Sequence, residues 1–387
     1  MNPGTRTRST GPSPTSVTKG SLAPPVRLLR ESRPVTMART TPPTPASTPQ
    51  GHLAVRDDWL RRWEEDILEP ELPIVDPHHH LWDRADSRYL LDELLEDTGS
   101  GHNIVATVFL QCRAMHRADG PEELRPVGET EFVNGVAAMS ASGGYGHTKA
   151  CAGIVGHADL RLGAAVRPVL EAHLRAGGGR FRGIRHISAY EAELSGSQPS
   201  NAPAPGLLGE PGFRAGIATL TALGLSFDAW LYHPQIDELT DLARAFPATQ
   251  IVLNHIGGPL GIGSYAGARD EVFASWSRSI RSLAECPNVH AKLGGLGMRI
   301  NGLGFEQGPE PPSSDTLATA FRPFFETCLE AFGADRCMFE SNFPVDKGAY
   351  PYAAYWNACK RLTANASPSE KAALFCGTAS RFYRLDL

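Results

Sequence analysis

The sequence predicts an α/β protein folded as a (β/α)8, or TIM, barrel, a single domain over residues 51–387 behind a disordered extension of residues 1–50. Three observations carry that prediction. From residue 73 onward, short apolar runs alternate with amphipathic helical stretches, the pattern of a parallel sheet covered by helices. Eight such runs are present, the number that closes a barrel. Polar and charged residues stand at the end of run after run, where such a barrel keeps its functional face.

The elements follow in chain order. Residues 1–50 are dense in Pro, Ser and Thr, with Glu31 as their only acid, so they cannot bury enough apolar surface to offset chain entropy. They lack the apolar centre of a secretory signal, and their prolines disfavour an amphipathic targeting helix. A start at Met37 explains them equally well. A helix is expected over 57–66, and strands over 73–76, 104–111, 149–156, 181–186, 226–231, 250–254, 289–293 and 336–340. Helices are expected over 129–140, 166–176, 236–245, 271–285 and 317–332, with long loops at 195–212 and 302–314. An open doubly wound sheet is the alternative fold, but it places a glycine-rich turn after its first strand, where this chain has histidines.

Composition narrows the function. The formal charge of -5 gives no reason to expect nucleic acid or an anionic membrane as partner. No apolar stretch of about 18 residues predicts a membrane span. Seven scattered cysteines, an odd number without a C-x-x-C pair, predict reduced thiols in a cytoplasmic protein. A homo-oligomer stays open.

The run from Ile74 to Trp82 contains Asp76-Pro77-His78-His79-His80 at the end of the first strand. Alternation sends His78 and His80 to one face and His79 to the other. Two imidazoles on one face can converge on a divalent cation. Asp76 is expected on that face too, as a third ligand or as the group that orients a histidine. Later strand ends carry Gln111-Cys112-Arg113, His157-Ala158-Asp159, Arg185-His186, Tyr232-His233, Asn254-His255, Lys292 and Glu340-Ser341-Asn342.

The ordered motifs DPHHHLWD, FRGIRH, YHPQ, LNHIGGP, NVHAKLGGL and CMFESNFP resemble the amidohydrolase superfamily, in its branch of sugar-acid and dicarboxylate lactonases and aromatic-acid decarboxylases. The resemblance runs from about residue 72 to the C-terminus. It implies a barrel with a metal or substrate centre at the strand ends. His78 and His80 match the family's first-strand pair, and His233 and His255 its histidines on strands five and six. On strand eight the family carries an aspartate as metal ligand and proton acceptor, and here Asn342 takes its place. Asparagine cannot serve as a base at neutral pH, which leaves Glu340 or Asp346 to do so.

The reaction expected is hydrolysis of a lactone, or a related ester or amide, in a small carboxylate-bearing molecule. His78, His80 and His233 would hold a divalent metal, most simply zinc, and a metal-free site is the variant. His255 would donate to the oxyanion or move a proton, with Asn342 orienting the base. Arg182, Arg185 and Lys292 would clamp the substrate carboxylate, and Trp82 would border it. Non-oxidative decarboxylation on the same barrel and a non-catalytic acid-binding barrel are the competing readings.

Overall fold

The computed structural model describes Gly11, residues 52–197 and residues 203–387; apart from Gly11, the extension expected over 1–50 lies outside the described residues. Eight strands form one parallel sheet in sequential order: β1 (Pro73–His79), β2 (Asn103–Leu110), β3 (Lys149–Gly156), β4 (Phe181–Arg185), β5 (Ser226–Ala229), β6 (Ile251–Leu253), β7 (Val289–Leu293) and β8 (Cys337–Phe339). The turn after β8 completes the circle, because Asn342 N donates to His78 O at 3.0 Å and His80 N donates to Phe343 O at 2.8 Å. The fold is a (β/α)8 barrel. Among the described residues no helix is long and apolar enough to cross a membrane, and no two cysteines pair.

Helices cover the outside: α1 (Leu91–Thr98), α2 (Val127–Ala141), α3 (Arg167–Ala176), α4 (Pro211–Ala222), α5 (Ile236–Ala245), α6 (Arg269–Ala284), α7 (Ser314–Phe332) and α8 (Tyr352–Leu362). A short last helix, α9 (Thr378–Tyr383), sets Ala379, Phe382 and Tyr383 against Val75, Ala106, Val108, Val252 and Met338, so it closes the lower end of the interior. Alternate residues of the same strands, such as Ile74, Phe109, Ile184, Phe227 and Leu293, belong to the outer core beneath the helices.

Two expected elements differ. The helix over 57–66 is only Asp57–Leu60, because Asn357 pins the following chain: its Nδ2 donates to Asp66 O and its Oδ1 accepts from Leu68 N, each at 2.9 Å. Helix α4 follows the expected loop, in a stretch whose glycines weaken the helical signal. Gly216 stands there because a Cβ would lie 2.1 Å from Leu160 O, so the helix packs closer than any side chain allows.

Candidate active site at the upper end of the barrel

The decisive local feature is a bulge in β1. Between Asp76 and His79 this strand advances three residues while β2 advances two, from Thr107 to Phe109. The extra residue reverses parity, so Val75 and His78 both face the interior while Asp76 faces outward. Asp76 accepts from Ser341 Oγ at 2.6 Å and Tyr352 Oη at 2.9 Å, and from His78 N at 3.3 Å. Burial raises its pKa to about 6 against those hydrogen bonds. Asp76 thus fixes the backbone of the histidine run, and it does not share the face of His78 as expected. His79 points outward as alternation requires, its Nε2 lying 2.8 Å from Thr107 Oγ1.

Inside, Glu340 is the hub. Its Oε1 accepts from His255 Nδ1 at 2.7 Å and from His255 N at 2.9 Å. Its Oε2 lies 2.5 Å from His78 Nδ1, yet no aligned hydrogen-bond donor points at it among the described residues. The His78 ring stands 4.4 Å from that of His255 and 5.0 Å from that of His80. His80 Nδ1 donates to Leu110 O at 2.8 Å, which leaves Nε2 with its lone pair. Burial holds all three imidazoles below their ordinary pKa, so the rings are neutral at pH 7. Glycine is required opposite them: a Cβ at Gly295 would lie 2.5 Å from the His255 ring.

Two cations complete the centre. Arg185 donates from Nη1 to His78 Nε2 at 3.1 Å and from Nη2 to Gln111 O. Lys292, fully buried, donates to Pro77 O at 2.8 Å and stands 3.0 Å from Asp228 Oδ1 and 3.4 Å from His78 Nδ1. Asp228 Oδ1 also accepts from Tyr383 Oη at 2.7 Å and Asn254 Nδ2 at 3.1 Å. Asp228 and Tyr383 were not singled out in the sequence. An aspartate within the apolar run Ser226–Ala229 is the signal that points to the first, whereas nothing local marks the second.

The other expected residues are placed as follows. His233 begins a turn beyond β5, where its Nδ1 accepts from Leu260 N at 3.3 Å and its ring meets Tyr265 at 5.1 Å. It lines an outer groove with Asp237 and Arg244 and is not brought to His78, because the strand ends at Ala229 and the chain turns away. Arg182 sits three residues before Arg185, roughly 10 Å back along β4, and donates to Gly179 O there. It therefore cannot join a clamp with Arg185. The Lys292 ammonium already faces Pro77 O at 2.8 Å, Asp228 Oδ1 at 3.0 Å and Glu340 Oε2 at 3.9 Å, so it too is not free to grip a substrate carboxylate. Trp82 stacks beside His80, centroids 6.0 Å apart, and so borders the centre.

On the strand-eight turn, Asn342 Nδ2 donates to Asp346 Oδ1 at 2.9 Å. Asp346 Oδ2 accepts from Tyr350 Oη at 2.6 Å and Gly297 N at 3.0 Å. Burial raises the Asp346 pKa to about 7. With three donors engaged, this carboxylate clamps the turn and does not fold back toward the histidines. The asparagine at 342 supplies a donor that an ionised aspartate there would lack.

The donor set suits a divalent ion. Ligand atoms of His78, His255 and Glu340 lie within 4.8 Å of one another, and Glu340 Oε2, 2.5 Å from His78 Nδ1, has no aligned hydrogen-bond donor among the described residues. This group shares only His78 with the expected set of His78, His80 and His233. Further buried atoms without partners among the described residues cluster at the same strand ends: Gln111 Oε1, Arg185 Nε, Asp228 Oδ2 and Asn254 Oδ1. An unpaired buried polar atom costs about 1–3 kcal/mol, so the group is built to meet water or ligand.

Comparison with known proteins gives a consistent outcome. Residues 75–385 match the family described as amidohydrolase. The uncharacterized protein y4mH of Sinorhizobium fredii is 33% identical over 81% of this chain and 99% of its own length. An L-fucono-1,5-lactonase of Burkholderia multivorans is 26% identical over 80% of this chain and 96% of its own. The crystal structure of a Burkholderia multivorans amidohydrolase with bound Zn superposes with a TM-score of 0.62 at 26% identity, over 81% of this chain and 99% of that one.

Proposed function

The chain belongs to the amidohydrolase family, and from that premise we propose that it opens a lactone, or a related ester or amide, in a small hydroxyl-bearing molecule by attack of water. The observation that carries this reading is the Glu340–His255 pair. With Nδ1 committed to Glu340, His255 keeps its lone pair on Nε2, and burial keeps the ring in its neutral, basic form. His255 Nε2 takes a proton from water as the water oxygen attacks the carbonyl carbon. The same proton passes to the ring oxygen when the acyl C–O bond breaks, which yields the hydroxy acid. Arg185 Nε, a buried N–H without a partner among the described residues, is the donor for the developing oxyanion. Lys292 contributes through its field, since its own hydrogen bonds are occupied.

The proton transfer through His255 is that of the metal-free site. In a metal-loaded site, with zinc as the proposal because the similar Burkholderia multivorans structure carries it, His78, His255 and Glu340 would hold the ion, and the His255 lone pair would then serve the ion in place of the base role. When bound, such an ion polarises a carbonyl and lowers the pKa of water. The substrate class follows from the unpartnered acceptors Gln111 Oε1, Asp228 Oδ2 and Asn254 Oδ1, which suit the hydroxyl donors of a sugar lactone. The name of the Burkholderia multivorans relative supports the same class.

The test is a panel of sugar-acid and dicarboxylate lactones assayed by acid release, on protein whose metal content has been measured as purified. Ring opening of at least one lactone is expected. Carbon dioxide release from aromatic acids without lactone opening would replace this reading with decarboxylation. Tight binding of one acid with no turnover would replace it with a binding role.

A further inference from the structure

Five rings meet one another in turn at the upper end of the barrel. Trp82 stacks on His80 with centroids 6.0 Å apart, and His80 meets His78 at 5.0 Å. His78 meets His255 at 4.4 Å, and His255 meets the Trp230 indole at 4.7 Å. The two indoles that end this series differ. Trp82 is 3% exposed and its Nε1 donates to Ser87 Oγ at 2.9 Å, so it is built into the wall. Trp230 is half-buried and its Nε1 donates to no described residue. That nitrogen is not sealed away, as the unpartnered Nε1 atoms of Trp63 and Trp356 are.

The chain fixes where Trp230 points. Along β5, Asp228 faces Lys292 in the interior and Ala229 belongs to the outer core, so alternation turns Trp230 inward again. It stands two residues beyond Asp228, roughly 6.6 Å nearer the mouth, and its contact with His255 agrees with that side. Its carbonyl accepts from Ser188 N at 2.9 Å and Ser188 Oγ at 3.2 Å, which pins the backbone. A Cβ at Gly258 would lie 2.9 Å from Trp230 Cη2 and 3.0 Å from Cζ3, so only glycine leaves room there. Both atoms belong to the six-membered ring of the indole. The wedge therefore holds that rim and leaves the pyrrole N–H out of it.

This ring supplies what the strand ends lack. The unpartnered side-chain oxygens there, Gln111 Oε1, Asp228 Oδ2 and Asn254 Oδ1, are all acceptors. A hydroxylated ring can give its hydroxyl protons to such oxygens, but it also carries a face of C–H bonds and hydroxyl lone pairs. An indole offers the complement to both, an apolar face and one N–H donor. We propose that Trp230 is the specificity-determining contact for the substrate ring. Its face covers the C–H surface of a polyhydroxylated six-membered ring, and its Nε1 donates to a ring hydroxyl oxygen. The contact rests on the lactone reading of the same centre, although binding of such a ring is measurable without turnover.

The experiment has two arms. In the first, tryptophan fluorescence of the full chain is titrated with 1,5-anhydroglucitol, a hydroxylated ring with no bond to hydrolyse, and with tetrahydropyran, the same ring without hydroxyls. A saturable change is expected with the first and one at least roughly tenfold weaker with the second, the worth of one hydrogen bond or more. Trp230→Phe should abolish the change while the far-ultraviolet circular dichroism is kept. In the second arm, Trp230→Phe and Trp230→Ala are assayed on a lactone that the wild type opens. KM should rise roughly tenfold in the first variant and further in the second, with kcat held within about threefold. Equal response to the two rings, a fluorescence change that persists in Trp230→Phe, or a fall in kcat with KM unchanged would overturn the proposal. The last of these would show that Trp230 only packs against His255. Failure of every lactone to turn over would count against hydrolysis alone, and the fluorescence titration then decides the contact.

Discussion

The interior of the barrel has two layers, built by the same strands two residues apart, roughly 6.6 Å along the chain. In the lower layer Val252 and Met338 pack with Val75, Val108 and the C-terminal helix. In the upper layer those strands present Asn254 and Glu340, while β4, β5 and β7 present Arg185, Asp228 and Lys292. All five are within 5% of complete burial. The lower layer is held by area and packing and would tolerate exchange of one apolar side chain for another of similar volume. The upper layer is held by pairing: two cations, two carboxylates, and histidines that burial keeps neutral. Removing one partner there strands another charge in a medium that penalises it. Tyr383 joins the two layers, packing its ring in the lower and donating its hydroxyl to Asp228 in the upper.

The largest effect is expected from breaking the upper hub. Glu340→Gln removes the anion shared by His78 and His255. Because Glu340 orients the His255 base, turnover on an identified lactone should fall on the order of a thousandfold, within the range of general-base contributions. Asp346→Asn is the sharpening comparison, because that carboxylate clamps the turn and touches neither histidine. Steady-state kinetics should show kcat largely kept. Equal losses in the two variants would show that the turn, not the hub, limits activity.

Lys292→Met tests pairing directly. It leaves Asp228 without its cation, and denaturant unfolding should show a loss of about 3–5 kcal/mol. The double variant with Asp228→Asn should recover much of that loss, because no unpaired charge remains. Met338→Leu, one layer below, should cost less than about 1.5 kcal/mol. A loss at Met338 as large as that at Lys292 would erase the contrast between the layers.

Glu129 extends the comparison to a carboxyl that burial governs more than any neighbouring charge. Its Oε1 accepts from Cys112 N and Ala114 N, each at 2.9 Å, while Oε2 has no partner among the described residues. Burial raises its pKa from 4.5 to about 7. A carboxyl whose folded pKa exceeds its unfolded one favours folding at low pH. Its contribution is full below about pH 4.5, declines as pH rises to about 7, and is constant above that. Glu129→Gln keeps the acceptor and removes the ionisation. The variant should gain on the wild type between pH 5 and pH 8, by on the order of 3 kcal/mol at full ionisation. Melting curves across that range measure it, and a constant difference between the two proteins would show that Glu129 does not titrate there.

Tyr383→Phe is the smallest change. It should cost about 1 kcal/mol, the net worth of one hydrogen bond, with the apolar layer intact. If Asp228 relays that bond to Lys292 and thence to His78, kcat should fall several-fold with KM unchanged. An unchanged kcat would confine Tyr383 to packing.

By itself the sequence determined the barrel and the level at which its chemistry sits. Alternating apolar runs and amphipathic helices are local, repeating signals, and the polar residues that end each run are consecutive in the chain. Alternation also separated His79 from His78, because that parity is set by immediate neighbours. Tertiary structure decided the rest. The side on which Asp76 falls depends on how many residues of β2 oppose it, so the bulge between Asp76 and His79 is invisible to alternation. His233 and Arg182 carry the right chemistry, but β5 ends at Ala229, before His233, and Arg182 lies at the start of β4, which places both away from His78. Asp346 stands close to Glu340 in the chain, yet its lone pairs are spoken for by Gly297 and Tyr350 as well as Asn342. Lys292 and Asp228 lie on different strands, and each is tolerable in the interior only because the other is there. A side chain's type is written in the sequence, whereas the charge, proton or ligand it can hold is set by partners that only the closed barrel brings within reach.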